Sequence, residues 1–232
     1  MKTCLIAIPL ISVLAAAPAF ADFSINIGAI NVAPDDSSSS LNVIEQVAGL
    51  PNGSTALAVN SNTQLGLTFD YRIKPNWAVQ LIAATPFSHD ISVKGSAIDG
   101  LKVGKTKHLP PTLLAQYHFM PEHHTFDPFV GVGVNYTIFF DEQIDNQLKD
   151  ALQALNVTGP NDSVTLKAKN SYGLALQAGV NIKLNDTLGI HMMLSKMDID
   201  TTGRVQVNGS TVQSVNINID PYVAMIGLRW TL

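Results

Sequence analysis

Residues 129–140 read Phe-Val-Gly-Val-Gly-Val-Asn-Tyr-Thr-Ile-Phe-Phe, and this stretch limits the fold more than any other. Side chains alternate faces along a strand. Val130, Val132, Val134, Tyr136, Ile138 and Phe140 therefore share one face, and Gly131, Gly133, Asn135 and Thr137 share the other. One face is broad and apolar; the other is small, polar and uncharged. A soluble sheet usually turns charged residues to water on one side. This pattern suits an apolar face against lipid and a small face lining a lumen, although the segment alone also fits a soluble sheet.

Seven more segments repeat the alternation: residues 23–32, 63–72, 77–85, 112–119, 171–183, 188–197 and 222–232. Eight strands allow an antiparallel sheet to close. Charge placement then separates a soluble sandwich from a membrane barrel. Within the eight segments only Asp70, Arg72, Lys183, Lys196 and Arg229 are charged. A charge on the lipid face at the bilayer midplane costs about 2–4 kcal/mol for Arg or Lys, so a lipid-facing wall excludes it, whereas a wet sheet face does not. Connections alternate as well. Residues 73–76, 120–127 and 184–187 are short, and residues 33–62, 88–109, 141–170 and 198–221 are long. Short turns on the periplasmic side and long loops outside is the arrangement of outer-membrane barrels. Phe23, Tyr71, Trp77, Tyr117, Phe119 and Trp230 fall at the short-turn ends, where an interfacial aromatic girdle belongs.

Residues 1–21 carry Lys2, an apolar stretch and Ala19-Phe20-Ala21, a signal peptide that places the barrel domain at residues 22–232. Cys4, the one cysteine, leaves with it. A net charge of −4 without a basic patch argues against nucleic acid as a partner. In the third long loop Ile144, Leu148, Leu152 and Leu155 recur at helical spacing and predict one short amphipathic helix, packed on the rim or roofing an entrance. The first long loop is apolar at Leu41, Val43, Ile44, Val47 and Leu50.

No catalytic motif or metal-ligand spacing is present. His118, His123 and His124 cluster in sequence, but adjacent residues of an extended chain point apart. No metal, cofactor or catalytic residue is assigned. The inward positions are more informative. Small residues recur there (Gly28, Gly66, Gly131, Gly133 and Gly179 among them), and Ile82, Leu114, Met193, Val223 and Met225 share the same face, so a narrow channel lined by these five is expected. Asp70, Arg72, His118, Lys183 and Arg229 lie on the inward parity near the short turns. They predict a periplasmic plug, with Asp70 paired to Arg72 or Arg229, because unpaired buried charge is costly. Pro86, Pro110 and Pro111 lie about nine residues above the short turns, on the order of 23 Å up a tilted wall. Proline cannot donate to a ladder. A lateral gap bordered by Phe87, Leu109 and Leu114 is expected at that height.

Five stretches carry a family resemblance: Asn62-Thr63-Gln64-Leu65-Gly66-Leu67-Thr68-Phe69, Ala83-Ala84-Thr85-Pro86-Phe87, Lys107-His108-Leu109-Pro110-Pro111-Thr112-Leu113, residues 129–140, and Met197-Asp198-Ile199-Asp200-Thr201-Thr202. With them the chain resembles the outer membrane protein W family. The resemblance implies an all-β, eight-stranded antiparallel transmembrane barrel in the bacterial outer membrane, with an apolar channel for small hydrophobic molecules. Gly227-x-x-Trp230-x-Leu232 keeps the spacing of the terminal strand that the barrel assembly machinery reads, ending in leucine where such strands usually end in an aromatic. Expected partners are outer-membrane lipids, small hydrophobic solutes and that machinery. Rival readings are a closed barrel serving as a receptor, adhesion or stress-response surface, a lipid-modifying barrel enzyme, and a soluble lipocalin-like barrel.

Overall fold

The computed structural model describes residues 23–232. The expected signal peptide, with Cys4 and its expected cleavage site, lies outside the described residues. The chain runs through β1 (Phe23–Ala33), β2 (Ser37–Ser38), α1 (Asn42–Ala48), β3 (Ala56–Val59), β4 (Asn62–Lys74) and β5 (Trp77–Ala84). It continues through β6 (Phe87–Lys94), β7 (Lys102–Leu109), β8 (Thr112–His118), β9 (Phe126–Ile144), α2 (Asn146–Ala154) and β10 (Val164–Ala168). The last elements are β11 (Ser171–Lys183), β12 (Leu188–Met197), β13 (Asp200–Val207), β14 (Ser210–Asn218) and β15 (Tyr222–Thr231).

Eight of these strands close into an antiparallel barrel in the order β1, β4, β5, β8, β9, β11, β12, β15 and back to β1. The alternation sets the faces. Leu65, Val132, Val134, Leu174, Leu176 and Leu228 point outward and are all more than half exposed. Their neighbours Gly66, Gly131, Gly133, Gly173 and Gly227 turn inward. An apolar surface that encircles the molecule far exceeds the few hundred Å² a soluble monomer shows to water. Lipid is the solvent that removes the penalty, and closure leaves no unpaired edge in the hydrocarbon. This disposes of the lipocalin-like reading, which needs the apolar faces inside. The short turns are tight for local reasons. In the turn before β12, the Asn185 side chain accepts hydrogen bonds from the Thr187 and Leu188 amides at 2.9 and 2.8 Å, an Asx turn.

The long connections differ from the loops expected of them. They are mostly strands, and they build an upper storey. β3, β6 and β7 extend the wall from β9, while β2, β14, β13 and β10 form a second sheet. The inward residues of this storey, including Leu57, Ile91, Val93, Val103, Leu166, Val205, Val215 and Ile217, pack as a second apolar core. Two helices close it where one was expected. α2 buries Leu148 and Leu152 in this core, so it roofs the storey instead of resting on an outer rim. α1 contributes Ile44, with Leu41 just before it. It is pinned by Glu45, whose carboxylate accepts from the Gly53 amide, the Thr55 amide and the Thr55 hydroxyl at 2.7–2.9 Å. The Thr55 hydroxyl and those amides hold its pKa below the usual value, against the opposing effect of burial.

Candidate lumenal plug and upper chamber

From the periplasmic end upward, the lumen is filled layer by layer. Asp127 at the base of β9 gathers Arg72 of β4 at 2.8 Å and His118 of β8 at 2.9 Å. Next comes Asp70 of β4, paired with Arg229 of β15. Asp70 also accepts from Asn26 Nδ2 at 2.9 Å and from Gln80 Nε2 at 2.7 Å. Arg229 donates onward to Ser24 Oγ at 2.9 Å. Above this, Gln116 donates to Gln177 at 2.8 Å and Gln177 to Gln80 at 2.7 Å, a chain of amides across the bore. His191 stacks on Phe129 with ring centroids 5.6 Å apart and holds Asn181 at 2.8 Å.

Asp70 thus pairs with Arg229, and Arg72 pairs with Asp127 instead. Lys183 does not join the plug. Its ammonium donates to the Pro121 and His123 carbonyls at 2.8 and 3.1 Å and ties down the turn before β9. His123 accepts from the Thr125 and Phe126 amides in the same turn, whereas His118 sits on Asp127 inside the lumen. Asp127 escaped the sequence reading because it sat in an assigned turn; its parity with Phe129 and Gly131 carries the signal. Asn26, Gln80, Gln116 and Gln177 were likewise inward polar residues passed over in favour of charges.

Ile82, Leu114, Met193, Val223 and Met225 come together at mid-height, facing inward, but they do not line an open bore. None is more than 5 % exposed even to a water-sized sphere inside the barrel, and they pack against one another with Ile30, Phe129 and Met197. The room left by glycines is taken by neighbours. A Cβ at Gly131 would sit 3.1 Å from Gln177 Oε1, and one at Gly66 would meet Ile30 and the Met225 sulfur. The expected void is therefore absent at mid-height, and the enclosed space lies higher.

That space is a chamber of about 60 Å³ in the upper storey. Its surface is mostly apolar (Val32, Leu57, Ile91, Phe139, Ile199 and Ile217 among its lining), and its polar lining residues include His89 of β6, His108 of β7, Thr106, Thr137, Thr201 and Gln213. Phe87, His108 and Phe139 lie side by side on adjacent strands, with His108 5.3 Å from Phe87 and 5.7 Å from Phe139 between ring centroids. His89 and His108 stack 4.9 Å apart. Both rings lie above the spanning wall. Burial pushes His108 down to about 3, with the neighbouring His89 adding to the fall, and burial lowers His89 too. Both are neutral at physiological pH.

The prolines mark the floor of this chamber. The β5–β8 ladder ends at Ile82 opposite Thr112, and the β6–β7 ladder begins at Phe87 opposite His108. Between them no pair forms. Asn135 Nδ2 donates to the Pro110 carbonyl at 3.2 Å and to Thr112 Oγ1 at 2.8 Å, so side chains satisfy the interrupted wall. Leu109 stays paired with Ile138. Phe87 turns inward, fully buried, and Leu109 has the opposite parity, so the two cannot border one opening together. On the lipid side, Pro111, Leu113, Val134, Tyr136, Tyr172 and Leu174 line a groove of about 600 Å³.

Comparison with known proteins agrees with this architecture. Residues 20–232 match the OmpW family. Outer membrane protein W of Vibrio cholerae is 38% identical over 232 residues, covering 97% of both chains. Outer membrane protein W of Escherichia coli is 39% identical over 168 residues, 72% of each chain. The crystal structure of OprG from Pseudomonas aeruginosa superposes with a TM-score of 0.76 at 39% identity, covering 91% of this chain and 95% of that one. These relatives are named as outer membrane proteins, and an outer-membrane location follows for a barrel with this lipid-facing wall. The chain belongs to the OmpW family of bacterial outer-membrane β-barrels.

Proposed function

We propose that this barrel passes small hydrophobic molecules from the outside into the upper chamber and releases them sideways into the outer leaflet. The observation that carries the reading is the stacking order in the lumen. An apolar chamber sits directly above a lumen packed with side chains, at the height where the wall loses its ladder. A polar plug of paired charges and amides opposes an apolar solute, which would leave those groups without partners. The open groove beside Pro111, lined by apolar and aromatic side chains, offers a route that needs no transit of the plug. Catalysis has no place in the reading: the charged groups of the lumen are spent on one another.

The test is flux in proteoliposomes. Uptake of a small hydrophobic solute faster than in protein-free vesicles, with small-ion conductance near background, is the expected result. Ion conductance of a water-filled pore, or solute uptake no faster than through lipid alone, would overturn it.

A further inference from the structure

Four cations crowd one arc of the upper storey, on its outer face. They are Lys107 of β7, Lys167 of β10, Lys169 just beyond it and Arg204 of β13. The Lys107 and Lys167 side chains are 43 % and 60 % exposed, and Lys169 and Arg204 are exposed too. Lys107 and Lys167 flank β9, where they reach the adjacent Asp141 and Glu142 at 2.7 and 3.7 Å. Lys167 and Arg204 stand directly opposite each other across the β10–β13 ladder, a position in which like charges destabilise a sheet. Lys169 and Arg204 have no carboxylate within 4 Å among the described residues. Four cations against two carboxylates leave an excess of two positive charges, on a chain whose net charge is −4. Lys105, next along β7, faces Asp90 across the β6–β7 ladder and does not change that excess. Elsewhere on the rim the sign is reversed. Carboxylate oxygens of Asp198, Asp200 and Asp220 lie within 4.8 Å of one another, and the nearby Lys196 is held by Asp35.

The height of the arc is fixed by two tyrosines. Tyr136 of β9 and Tyr172 of β11 stack on the lipid side with ring centroids 4.5 Å apart, and Tyr172 is 77 % exposed. Tyrosine collects at the membrane surface. Asn170 Nδ2 donates to the Tyr136 hydroxyl at 3.1 Å, so the polar side begins at once above the rings. Lys169 is three residues from Tyr172, about 10 Å along the strand direction. The polar layer of a bilayer is roughly 5–8 Å deep, and a lysine stem can bend toward it. The ammonium groups therefore stand at the level of lipid headgroups, with Leu113, Val134 and Leu174 on the apolar wall below.

We propose that Lys107, Lys167, Lys169 and Arg204 form a docking site for the phosphate group of an outer-leaflet glycolipid whose chains lie against this wall. The chemistry is charge complementarity. A phosphate monoester carries about −1.5 to −2 at pH 7, which matches the excess of two. Arginine adds a planar fork suited to phosphate oxygens. A zwitterionic headgroup would bring its own cation into a cluster of cations. Asp198 stands beside the same stretch of wall and repels a phosphate, so the headgroup is turned toward β10. The site is independent of the passage reading, and a barrel that moved no solute would still show it.

The full-length barrel is refolded in neutral detergent and titrated with lipid A, a glycolipid bearing phosphate monoesters, and with the same lipid stripped of phosphate. EDTA keeps divalent ions out, and native mass spectrometry counts bound lipid. A cation at an anionic lipid surface is worth roughly fivefold in binding. Lipid A is expected to bind at least about tenfold more tightly than the stripped lipid, and less tightly as salt is raised. It is also expected to move the amide resonances of Lys167, Lys169 and Arg204. Arg204→Gln should cost about fivefold, whereas Lys196→Gln, which removes the same charge from the acidic side, should cost nothing. Lys167→Gln, Lys169→Gln and Arg204→Gln together should abolish the preference. Equal binding of the two lipids, a preference that survives the triple substitution, or equal losses in Arg204→Gln and Lys196→Gln would overturn the assignment. Displacement of lipid A by an equal concentration of inorganic phosphate would overturn it too, by marking a site for free anions. The two-lipid comparison and the resonances need no variant, so a substitution that fails to refold does not block the test.

Discussion

Asp70 and Arg229 meet inside the barrel although 159 positions separate them in sequence. They sit on β4 and β15, with β1 between. Asn26 of β1 completes the bridge by donating to Asp70 and accepting from Arg229. The pair therefore fastens the closing seam, where the first and last strands join, and it lies across the lumen.

Removing one partner leaves the other charge buried alone. Asp70→Ala is expected to lower stability by about 3–5 kcal/mol, read as a lower urea midpoint for the refolded barrel. It is also expected to raise small-ion conductance in planar bilayers, because Arg229 loses the anchor that holds it across the bore. Wild-type conductance in a folded Asp70→Ala barrel would show that the amide chain of Gln80, Gln116 and Gln177 blocks the lumen unaided.

His108 makes stability depend on pH. Its folded value is about 3 against an ordinary value of 6.5. Above pH 6.5 the ring is neutral in both folded and unfolded chains and has no effect. As pH falls below 6.5 the unfolded chain takes up a proton that the folded chain refuses, so stability declines by about 1.4 kcal/mol per pH unit until the folded value is reached. His108→Phe is expected to flatten the urea midpoint between pH 6 and pH 4. An unchanged slope would mean the upper storey opens enough to admit the proton.

Glu45 acts with the opposite sign. Its carboxyl titrates below its ordinary value of 4.5 because Thr55 and the neighbouring amides favour the anion. The stability it contributes is complete above the ordinary value and is lost as pH falls through the lower, folded one. Glu45→Gln keeps the size and removes the charge. Faster amide hydrogen exchange at Gly53 and Thr55 is expected, with the barrel strands unaffected, because the contact ties α1 to its own loop and not to the spanning wall.

The spanning strands were legible because one rule governs them: lipid excludes charge, and parity does the rest. The same rule hid the upper storey. In β6 and β7 the inward Phe87, His89, Ile91, Val93, Thr106 and His108 alternate with Asp90, Lys94, Lys105 and Lys107. Those strands face water outside the membrane, so a search for uncharged stretches passes over them. α1 was missed for another reason. It is seven residues long, and its N-cap Leu41 makes no side-chain cap bond. Tertiary contacts through Ile44 and Glu45 hold it, and these cannot be read locally. The mid-lumen void was expected from small residues counted one strand at a time. Phe129, Gln116 and Gln177 reach across from other strands and fill it, a matter of packing in three dimensions.

The wall break near the prolines has a second cause besides the missing N–H groups. From Ile82 to Phe87 there are five steps, and from His108 to Thr112 only four. The ladders below and above are out of register by one residue, so pairing could not run through even with donors in place; the offset works as a bulge does. Pro110 and Pro111 then remove the donors that could form irregular bonds across it. Replacing both by valine returns two N–H groups to this stretch while leaving the offset. Each new bond is worth about 0.5–1.5 kcal/mol, so Pro110→Val with Pro111→Val is expected to raise the urea midpoint and stiffen the wall. Uptake of a small hydrophobic solute should fall severalfold if release is lateral, with ion conductance unchanged because the plug is untouched. Higher stability with wild-type uptake would mark the break as the place where spanning wall gives way to upper storey, and solutes would then have to leave by another path.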